Sequence, residues 1–408
     1  MNKKVLYISY DGLTDPLGQS QVLPYLQGLT QKGFEFTILS FEKKERLASE
    51  GDLIRSITQK SGINWVPMSF TKNPPVVSKI YDRIRMFRKA EELHRKFRFD
   101  MIHCRSYVSA EVGIKLKKVY GVKFLFDMRG FWADEKVDNG QWNTGKYFYR
   151  KLYSHYKKKE RQFLINADGI ISLTQAASDY LKNQPLYNQL PIDVIPCCAD
   201  LQHFDYNKIS AAQKDAVRKS LDIDAGRRVM VYLGSIGGWY MIKEMFDFFR
   251  MLSEKHPEYL LLVLTKDDAS HVIEEAKKSG LSEDQIRVRY STREQLPSYL
   301  AIRETSIYFI NACFSKIASS PTKHAELMGM GIPIICNDIG DTGRIISKTE
   351  TGYIVPSFNE TEYRNAINLL PQVTGIQKDK IRSSALEFFD LKNGVEMYAS
   401  AYNRILNQ

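Results

Sequence analysis

The segment Ser320-Pro-Thr-Lys-His-Ala-Glu-Leu-Met-Gly-Met-Gly331 combines signals for both ends of a helix with charged side chains inside it. Ser320 is a favourable N-cap, Pro321 suits the first helical position and Gly331 suits the residue after the helix. The pattern therefore predicts a short helix with both ends marked. Lys323 would lie in its first turn, where a cation opposes the helix dipole.

A lysine at this position is explained if an anion occupies the same end of the helix. Backbone N–H groups, the dipole and an ammonium group together form a phosphate site. Glu326, one turn further along, would present a carboxylate to hydroxyl groups of the same ligand, and Thr322 is a neighbouring ligand-binding candidate. The alternative is a solvent-facing Lys323–Glu326 pair, in the less favourable Lys-before-Glu order.

A second pair of charged residues follows an apolar run at positions 123–127. Asp127 and Arg129 are two residues apart, so they share one face at the end of a predicted strand. Ligands of parallel sheets bind beyond the carboxyl ends of the strands, and both side chains would point there. The alternative is an internal pair between Arg129 and Asp134 or Glu135.

The loop after the first predicted strand contains Gly18 ahead of a helix. Gly18 is compatible with a phosphate-binding loop and equally with a simple turn. Neither half of the chain has Gly-x-Gly-x-x-Gly or a Walker lysine after its first strand. This absence argues against a dinucleotide-binding dehydrogenase and against a P-loop enzyme.

Short apolar runs alternate with amphipathic helical stretches along the whole chain. The predicted strands of the first set are 5–10, 34–41, 101–104, 123–127, 169–173 and 193–196, with helices near 20–31, 77–97, 107–119, 144–165 and 175–183. The second set is 229–233, 259–264, 286–290, 306–310 and 333–336. The alternation predicts an α/β protein with two doubly wound, Rossmann-like parallel sheets. The polar, helix-poor stretch near 197–228 is the predicted hinge.

Length and composition agree with two domains. The 408 residues are 43% hydrophobic and 12% aromatic with 14 prolines, which excludes a disordered or collagen-like chain. The five cysteines lack zinc-finger spacing and favour a reducing compartment. The apolar start is interrupted at Asp11, which is too early for a signal peptide, and the longest apolar run, 259–264, is too short to span a membrane. We therefore expect a cytoplasmic protein.

The net charge of +11 is unevenly distributed. Residues 201–408 contain as many acidic as basic residues, so the whole excess lies in the first 200. Such asymmetry suggests a polyanionic partner, and the chain has no recognised nucleic-acid-binding module, so an anionic membrane surface is favoured over nucleic acid. Segments 79–89 and 147–159 interleave cations with large apolar residues. These apolar residues would face lipid or, alternatively, the sheet, and the charge would then be only solubilising.

Several motifs resemble those of the family-4 retaining glycosyltransferases. The run Glu326-Leu-Met-Gly-Met-Gly-Ile-Pro-Ile-Ile, followed by 351–355, is similar to the nucleotide-sugar motif of that family, and 194–204 is similar to its hinge sequence. Segments 18–26 and 126–135 resemble its bacterial cell-surface polysaccharide branch. The similarities span nearly the whole chain in the order that the family shows.

The resemblance implies the GT-B fold, in which two Rossmann-like domains face each other. Residues 1–200 would form the acceptor-side domain, 201–390 the nucleotide-sugar-binding domain, and the final helix, 391–408, would cross back to the first. It also implies transfer of a sugar, with retention, from a nucleotide-diphosphate sugar to a lipid-linked or surface-glycan acceptor. No metal or other cofactor is implied, and the location would be cytoplasmic and peripheral at the inner membrane face.

Three residues match positions with known roles in the family. Glu326 matches the second glutamate of the Glu-x7-Glu motif, which holds the ribose hydroxyls, and Gly18 matches the glycine loop near the donor phosphates. Arg129 falls where the family often has a histidine near the donor sugar, and Asp127 beside it is a further donor-binding candidate.

The sequence also departs from the family pattern. Ala318 stands at the first glutamate position, Ser235 at the position of the arginine that neutralises the diphosphate, and Tyr240 near the lysine position. Ser235 remains a donor-binding candidate, and the predicted substitutes for the missing charges are Lys323, Arg129 and Lys243. The alternative is a non-catalytic partner subunit that keeps the fold and the nucleotide pocket.

Overall fold

Apolar runs form the strands of two parallel sheets in the computed structural model, which describes residues 2–407. The first unit runs from the start of the chain to Pro196 and also contains Ile317–Ser319 and the chain from Leu391 onward. The second unit comprises Cys197–Lys316 and Ser320–Asp390. The predicted fold class, two parallel-sheet α/β domains, is confirmed.

The sheet of the first unit has seven strands in the order β3-β2-β1-β4-β5-β6-β7. They are β1 Lys3–Ser9, β2 Phe34–Glu42, β3 Asn64–Ser69, β4 Met101–Arg105, β5 Lys123–Asp127, β6 Gly169–Ser172 and β7 Ile192–Val194. Its helices are α1 Pro16–Gln21, α2 Leu23–Thr30, α3 Lys44–Lys60, α4 Pro75–Phe97, α5 Ser106–Tyr120, α6 Trp132–Asp138, α7 Tyr147–Asn166, α8 Gln175–Lys182 and α17 Leu391–Leu406. The central strands β4 and β5 are paired so that Arg105 lies beside Asp127.

The sheet of the second unit has six strands in the order β10-β9-β8-β11-β12-β13. They are β8 Arg228–Leu233, β9 Tyr259–Leu264, β10 Ile286–Arg289, β11 Thr305–Tyr308, β12 Ile334–Cys336 and β13 Gly352–Ile354. Its helices are α9 Ala211–Ser220, α10 Ile242–Lys255, α11 Ala269–Lys278, α12 Leu296–Leu300, α13 Thr322–Gly329, α14 Thr342–Thr349, α15 Glu360–Thr374 and α16 Lys378–Phe389. All strand pairs in both sheets are parallel.

Several elements differ from the sequence prediction, among them β3, α3 and α9. Strand β3 was not predicted, because Pro67 interrupts the apolar pattern, and the structure places it at the sheet edge where a proline is tolerated. Helix α3 was also missed. The stretch near 197–228, predicted to be helix-poor, contains α9, which begins with a capping box between Ser210 and Gln213.

Within residues 2–407, no helix combines the length and the apolar character that crossing a membrane requires.

Candidate functional site

Helix α13 of the second unit carries three of the predicted site residues, Thr322, Lys323 and Glu326. It begins one residue later than predicted, with Pro321 rather than Ser320 at the N-cap. The Ser320 hydroxyl instead accepts a hydrogen bond from the Cys197 N–H at 3.1 Å. Gly331 follows the helix in the left-handed conformation, as predicted. No side chain caps the first turn, in which the His324 N–H donates to the Pro321 carbonyl at 2.9 Å.

Lys323 is buried, which contradicts the alternative of a solvent-facing ion pair. Its Nζ lies 3.6 Å from the ring centre of Tyr240 and 4.5 Å from that of Tyr232. Among the described residues, no carboxylate oxygen lies within 4.0 Å of this nitrogen, and burial lowers the pKa of Lys323 well below its ordinary value. A buried lysine surrounded by aromatic faces is suited to receive an external anion.

Gly234 makes room for this ammonium group. The residue follows β8 with φ +131°, and a Cβ built on it would lie 2.4 Å from Lys323 Nζ. The backbone conformation favours glycine here, because L side chains rarely adopt this φ. The lysine packs directly against the backbone of the turn that leads into the loop at 235–240.

Glu326 is also buried, one turn along α13 from Lys323. Its Oε1 lies 3.4 Å from Arg293 Nη1, and burial raises the pKa of Glu326 to about 7 despite the opposing effect of this arginine. Arg293, which precedes α12, was not predicted. No signal in the sequence near it marks a partner 33 residues away.

The far end of α13 is held by two arginines. Arg382 donates to the carbonyl oxygens of Gly329 at 2.6 Å, Phe204 at 2.7 Å and Leu201 at 2.8 Å. Arg303, itself buried, donates to the Met330 carbonyl. These cations satisfy the last carbonyl groups at the negative end of the helix dipole. They fix the helix that carries Lys323 and Glu326.

The remaining candidates of the second unit have different environments. Thr322 opens α13 and is half-buried beside Lys323. Ser235 is exposed, and its carbonyl accepts a hydrogen bond from the Tyr232 hydroxyl at 2.5 Å. Lys243 lies on the exposed face of α10 and contacts Asp247 at 2.6 Å. This pairing does not favour its role as a substitute for the missing cations, which stays a prediction.

In the first unit, Asp127 and Arg129 lie at the carboxyl end of β5 as predicted. Asp127 is 1% exposed and is approached by His103 at 3.4 Å, Arg129 at 3.8 Å and Arg105 at 3.9 Å. Burial acts to raise the pKa of Asp127, but the positive charge of Arg129, the hydrogen bond with His103 and the charge of Arg105 together hold it below its ordinary value. Its carboxylate is enclosed, which does not favour the predicted ligand contact, and that contact stays a prediction.

Arg129 adopts the left-handed backbone conformation, with φ +59°. Such strain in a residue other than glycine is typical of functional sites. The predicted alternative partner Asp134 contacts Lys157 at 2.8 Å and Tyr153 at 2.7 Å. Arg129 does contact the Asp127 carboxylate, at 3.8 Å.

Gly18 lies in α1 and has a packing role. A Cβ on Gly18 would lie 2.3 Å from the Gly12 carbonyl oxygen, so glycine is required by close backbone approach. Glu42, at the end of β2, accepts hydrogen bonds from the N–H groups of Leu13 at 2.9 Å and Thr14 at 3.1 Å. The loop after β1 is thus held by hydrogen bonds to Glu42, a residue of the same unit.

Ala318, which replaces a family glutamate, is buried in the apolar cluster of the first unit. The neighbouring Ile317 carbonyl accepts a hydrogen bond from Thr174 Oγ1 at 2.7 Å. A glutamate at this position would place a carboxylate in an apolar environment, which is costly. The substitution therefore agrees with the packing around it.

Two family descriptions match the chain. "Glycosyltransferase Family 4" matches residues 20–203, and "Glycosyl transferases group 1" matches residues 213–381. No curated protein matches it in sequence. The two matched segments follow one another along the chain and together leave only short stretches unmatched.

Solved structures share the fold at low sequence identity. A glycosyltransferase of Rickettsia africae is 15% identical with a TM-score of 0.69, and the match covers 100% of this chain and 99% of that one. Sucrose-phosphate synthase of Thermosynechococcus elongatus is 16% identical with a TM-score of 0.71 and full coverage of both chains. Anabaena HepE, solved with UDP and glucose, is 12% identical with a TM-score of 0.71, covering 98% and 100%. With both family matches and this fold, the chain belongs to the family-4 glycosyltransferases of GT-B fold.

Proposed function

We propose that the protein transfers a sugar from a nucleotide-diphosphate sugar to a lipid-linked or surface-glycan acceptor, with retention and without a metal ion. The observation that carries this proposal is the buried Lys323 at the N-terminal turn of α13, where no described carboxylate lies within 4.0 Å and Glu326 follows one turn later. A cation and a carboxylate at this spacing suit the phosphates and the ribose of one ligand.

The chemistry follows from where charge develops. The bond between the anomeric carbon and the β-phosphate oxygen breaks, a bond to the acceptor hydroxyl oxygen forms, and the hydroxyl proton is released with the nucleoside diphosphate. The departing diphosphate gains negative charge, which the ammonium of Lys323 and the helix N–H groups would stabilise. An arriving diphosphate favours the charged form of Lys323, opposing the effect of burial on its pKa.

The other candidates have supporting roles in this proposal. The Glu326 carboxylate would accept hydrogen bonds from the ribose hydroxyls, with Arg293 fixing its orientation at 3.4 Å. Arg129 would supply a further positive charge near the donor sugar, held by Asp127 at 3.8 Å. Thr322 and Ser235, at the edges of the Lys323 region, remain donor-binding predictions.

The direct test is incubation with a panel of nucleotide sugars and detection of nucleoside diphosphate release. UDP-glucose is the first donor to try, since the related Anabaena HepE was solved in complex with it. Retention is read from the anomeric configuration of the product by NMR, and metal independence from unchanged activity in excess EDTA. Release from no donor, with nucleoside diphosphate still bound, would instead support the non-catalytic partner subunit, which the buried Ala318 favours.

Donor affinity is expected to depend on pH through Glu326. Its pKa of about 7 means that the carboxylate forms as the pH rises from about 6 to 8. A carboxylate accepts ribose hydrogen bonds more strongly than a neutral carboxyl, so nucleoside affinity should rise about fivefold to tenfold over this range. Calorimetric titration at several pH values measures it, and Glu326→Gln should remove the dependence. A parent-like pH profile in this variant would assign the titration to another group.

Glu326 should also make the free energy of unfolding depend on pH, in the direction opposite to the nucleoside affinity. Because the folded chain holds the Glu326 proton more tightly than the unfolded chain does, this residue's contribution to the free energy of unfolding falls as pH rises from about 4.5 to about 7. As the pH rises, nucleoside affinity should therefore increase while the free energy of unfolding decreases. Glu326→Gln should reduce the pH dependence of both quantities.

A further inference from the structure

The N-terminal half of α4, in the first unit, exposes an apolar stripe. Val77, Ile80, Tyr81 and Ile84 lie at i, i+3, i+4 and i+7, so they share one helical face, and each is between 46% and 61% exposed. A helix on a sheet ordinarily turns such a face toward the core. Four adjacent large apolar side chains in water call for a partner surface.

The inward side of the same half-helix is polar, and this fixes the orientation. Asp82 is fully buried and accepts hydrogen bonds from the Thr71 N–H at 2.9 Å, the Thr71 hydroxyl at 2.8 Å, Tyr10 at 3.1 Å and Arg85 at 3.0 Å. Rotating the helix to bury its apolar stripe would either expose the Asp82 carboxylate or remove its hydrogen-bond partners. The outward stripe is therefore built into the fold.

Helix α7 offers a second exposed apolar site at its start. Tyr147 and Phe148 are 67% and 64% exposed, and Arg150 and Lys151 lie over the Tyr147 ring at 5.9 and 5.4 Å. Further along α7, Tyr153 contacts Asp134 and Tyr156 packs against Trp132. The segment 147–159 therefore turns these two tyrosines toward the protein, and only its first turn is free for lipid.

The charges around the stripe identify the partner. Lys79 and Arg88 are exposed on α4, Lys72 is exposed just before it, and the positive excess of the whole chain lies in residues 1–200. Apolar side chains flanked by cations suit the boundary between acyl chains and anionic headgroups. Lysine and arginine side chains there extend along apolar surface while keeping their charge in the headgroup region.

We propose that the α4 stripe (Val77, Ile80, Tyr81 and Ile84), aided by Tyr147 and Phe148, inserts into the surface of an anionic bilayer. This inference deepens the lipid-linked acceptor part of the proposed function. The surface would keep the first unit beside an acceptor that is itself held in the membrane.

The test is sedimentation with vesicles of phosphatidylcholine, with and without phosphatidylglycerol. The parent should bind the anionic vesicles at low salt, more weakly at high salt as charges are screened, and the neutral vesicles least. Ile80→Ser/Ile84→Ser should lower partitioning by about tenfold or more. The matched control is Leu53→Ser/Val119→Ser, which alters two exposed apolar residues on α3 and α5 and should bind as the parent does.

Three results would overturn the proposal: no binding of the parent at low salt, equal binding to both kinds of vesicle, or parent-like binding by Ile80→Ser/Ile84→Ser. A parent dimer that this variant converts to a monomer, seen by light scattering, would assign the stripe to a second copy of the chain. The assay needs no donor or turnover, so it is independent of the glycosyltransferase proposal. Unchanged nucleoside diphosphate affinity and near-UV circular dichroism show that the variant is folded.

Discussion

Replacing Lys323 with methionine is expected to slow sugar transfer by about a hundredfold or more, which corresponds to about 2.7–4 kcal/mol of lost transition-state stabilisation. Nucleoside diphosphate binding should weaken strongly and nucleoside binding little, because only the phosphates interact with the charge. Methionine is preferred to alanine because Lys323 is buried, and a shorter side chain would leave a cavity. Affinities for nucleoside, monophosphate and diphosphate separate the two effects.

The same variant should be more stable than the parent. An ammonium group without a nearby carboxylate is costly to bury, so its removal is expected to raise the free energy of unfolding by about 1–2 kcal/mol. Lower activity with higher stability is the signature of a residue retained for function. A residue retained for packing alone would show the reverse.

Two further variants act as controls for this prediction. Lys243→Met makes the same chemical change at an exposed lysine paired with Asp247, and it should leave binding and turnover unchanged. Glu326→Ala should weaken nucleoside and diphosphate binding together, through the ribose. If Lys323→Met binds diphosphate and turns over as the parent does, its phosphate role is wrong and Arg129 becomes the next candidate.

Replacing Arg382 with methionine is expected to destabilise the second unit by about 3–5 kcal/mol. The guanidinium donates to three carbonyl oxygens and contacts Asp205 at 3.0 Å, so its loss leaves several poorly exposed acceptors unpaired. Denaturant unfolding followed by tryptophan fluorescence and circular dichroism measures the change. Because the C-terminal end of α13 would also loosen, diphosphate affinity should fall even under conditions where the variant is folded.

The matched control is Arg364→Met on α15. That arginine is exposed and, within residues 2–407, its ion pair is with Glu360 one turn away, so the expected change is within about 0.5 kcal/mol. Equal effects of the two substitutions would show that the contacts of Arg382 do not hold the end of α13.

The sequence predicted most strands because parallel strands buried on both faces read as continuous apolar runs, as at Tyr259–Leu264. It missed α9, in which no residue is buried, because a helix without a buried face leaves no apolar period to detect. Only the capping box at Ser210 and Gln213 marks its start. The burial pattern was decisive for the strands, whereas α9 could be found only from its cap.

Some residues of the candidate site were predictable from local sequence patterns, and others were not. Lys323 and Glu326 were found from local rules of helix capping and charge. Arg382 reaches carbonyl groups 53, 178 and 181 residues away, and Arg293 reaches a carboxylate 33 residues away. Contacts across such separations depend on the tertiary fold, which no local pattern encodes. The burial of Lys323, which decides its chemistry, also appears only in three dimensions.

The placement of the proposed phosphate-binding charge affects which substitutions the loop after β8 can accept. In the family pattern the basic pair follows the glycine of the loop after the first strand, whereas here the proposed charge is on α13, a helix clamped at its far end. Ordering a flexible side chain on binding costs about 0.5–1.5 kcal/mol, and Lys323 is already ordered by packing. Substitutions at 235–238 can therefore accumulate without removing this charge.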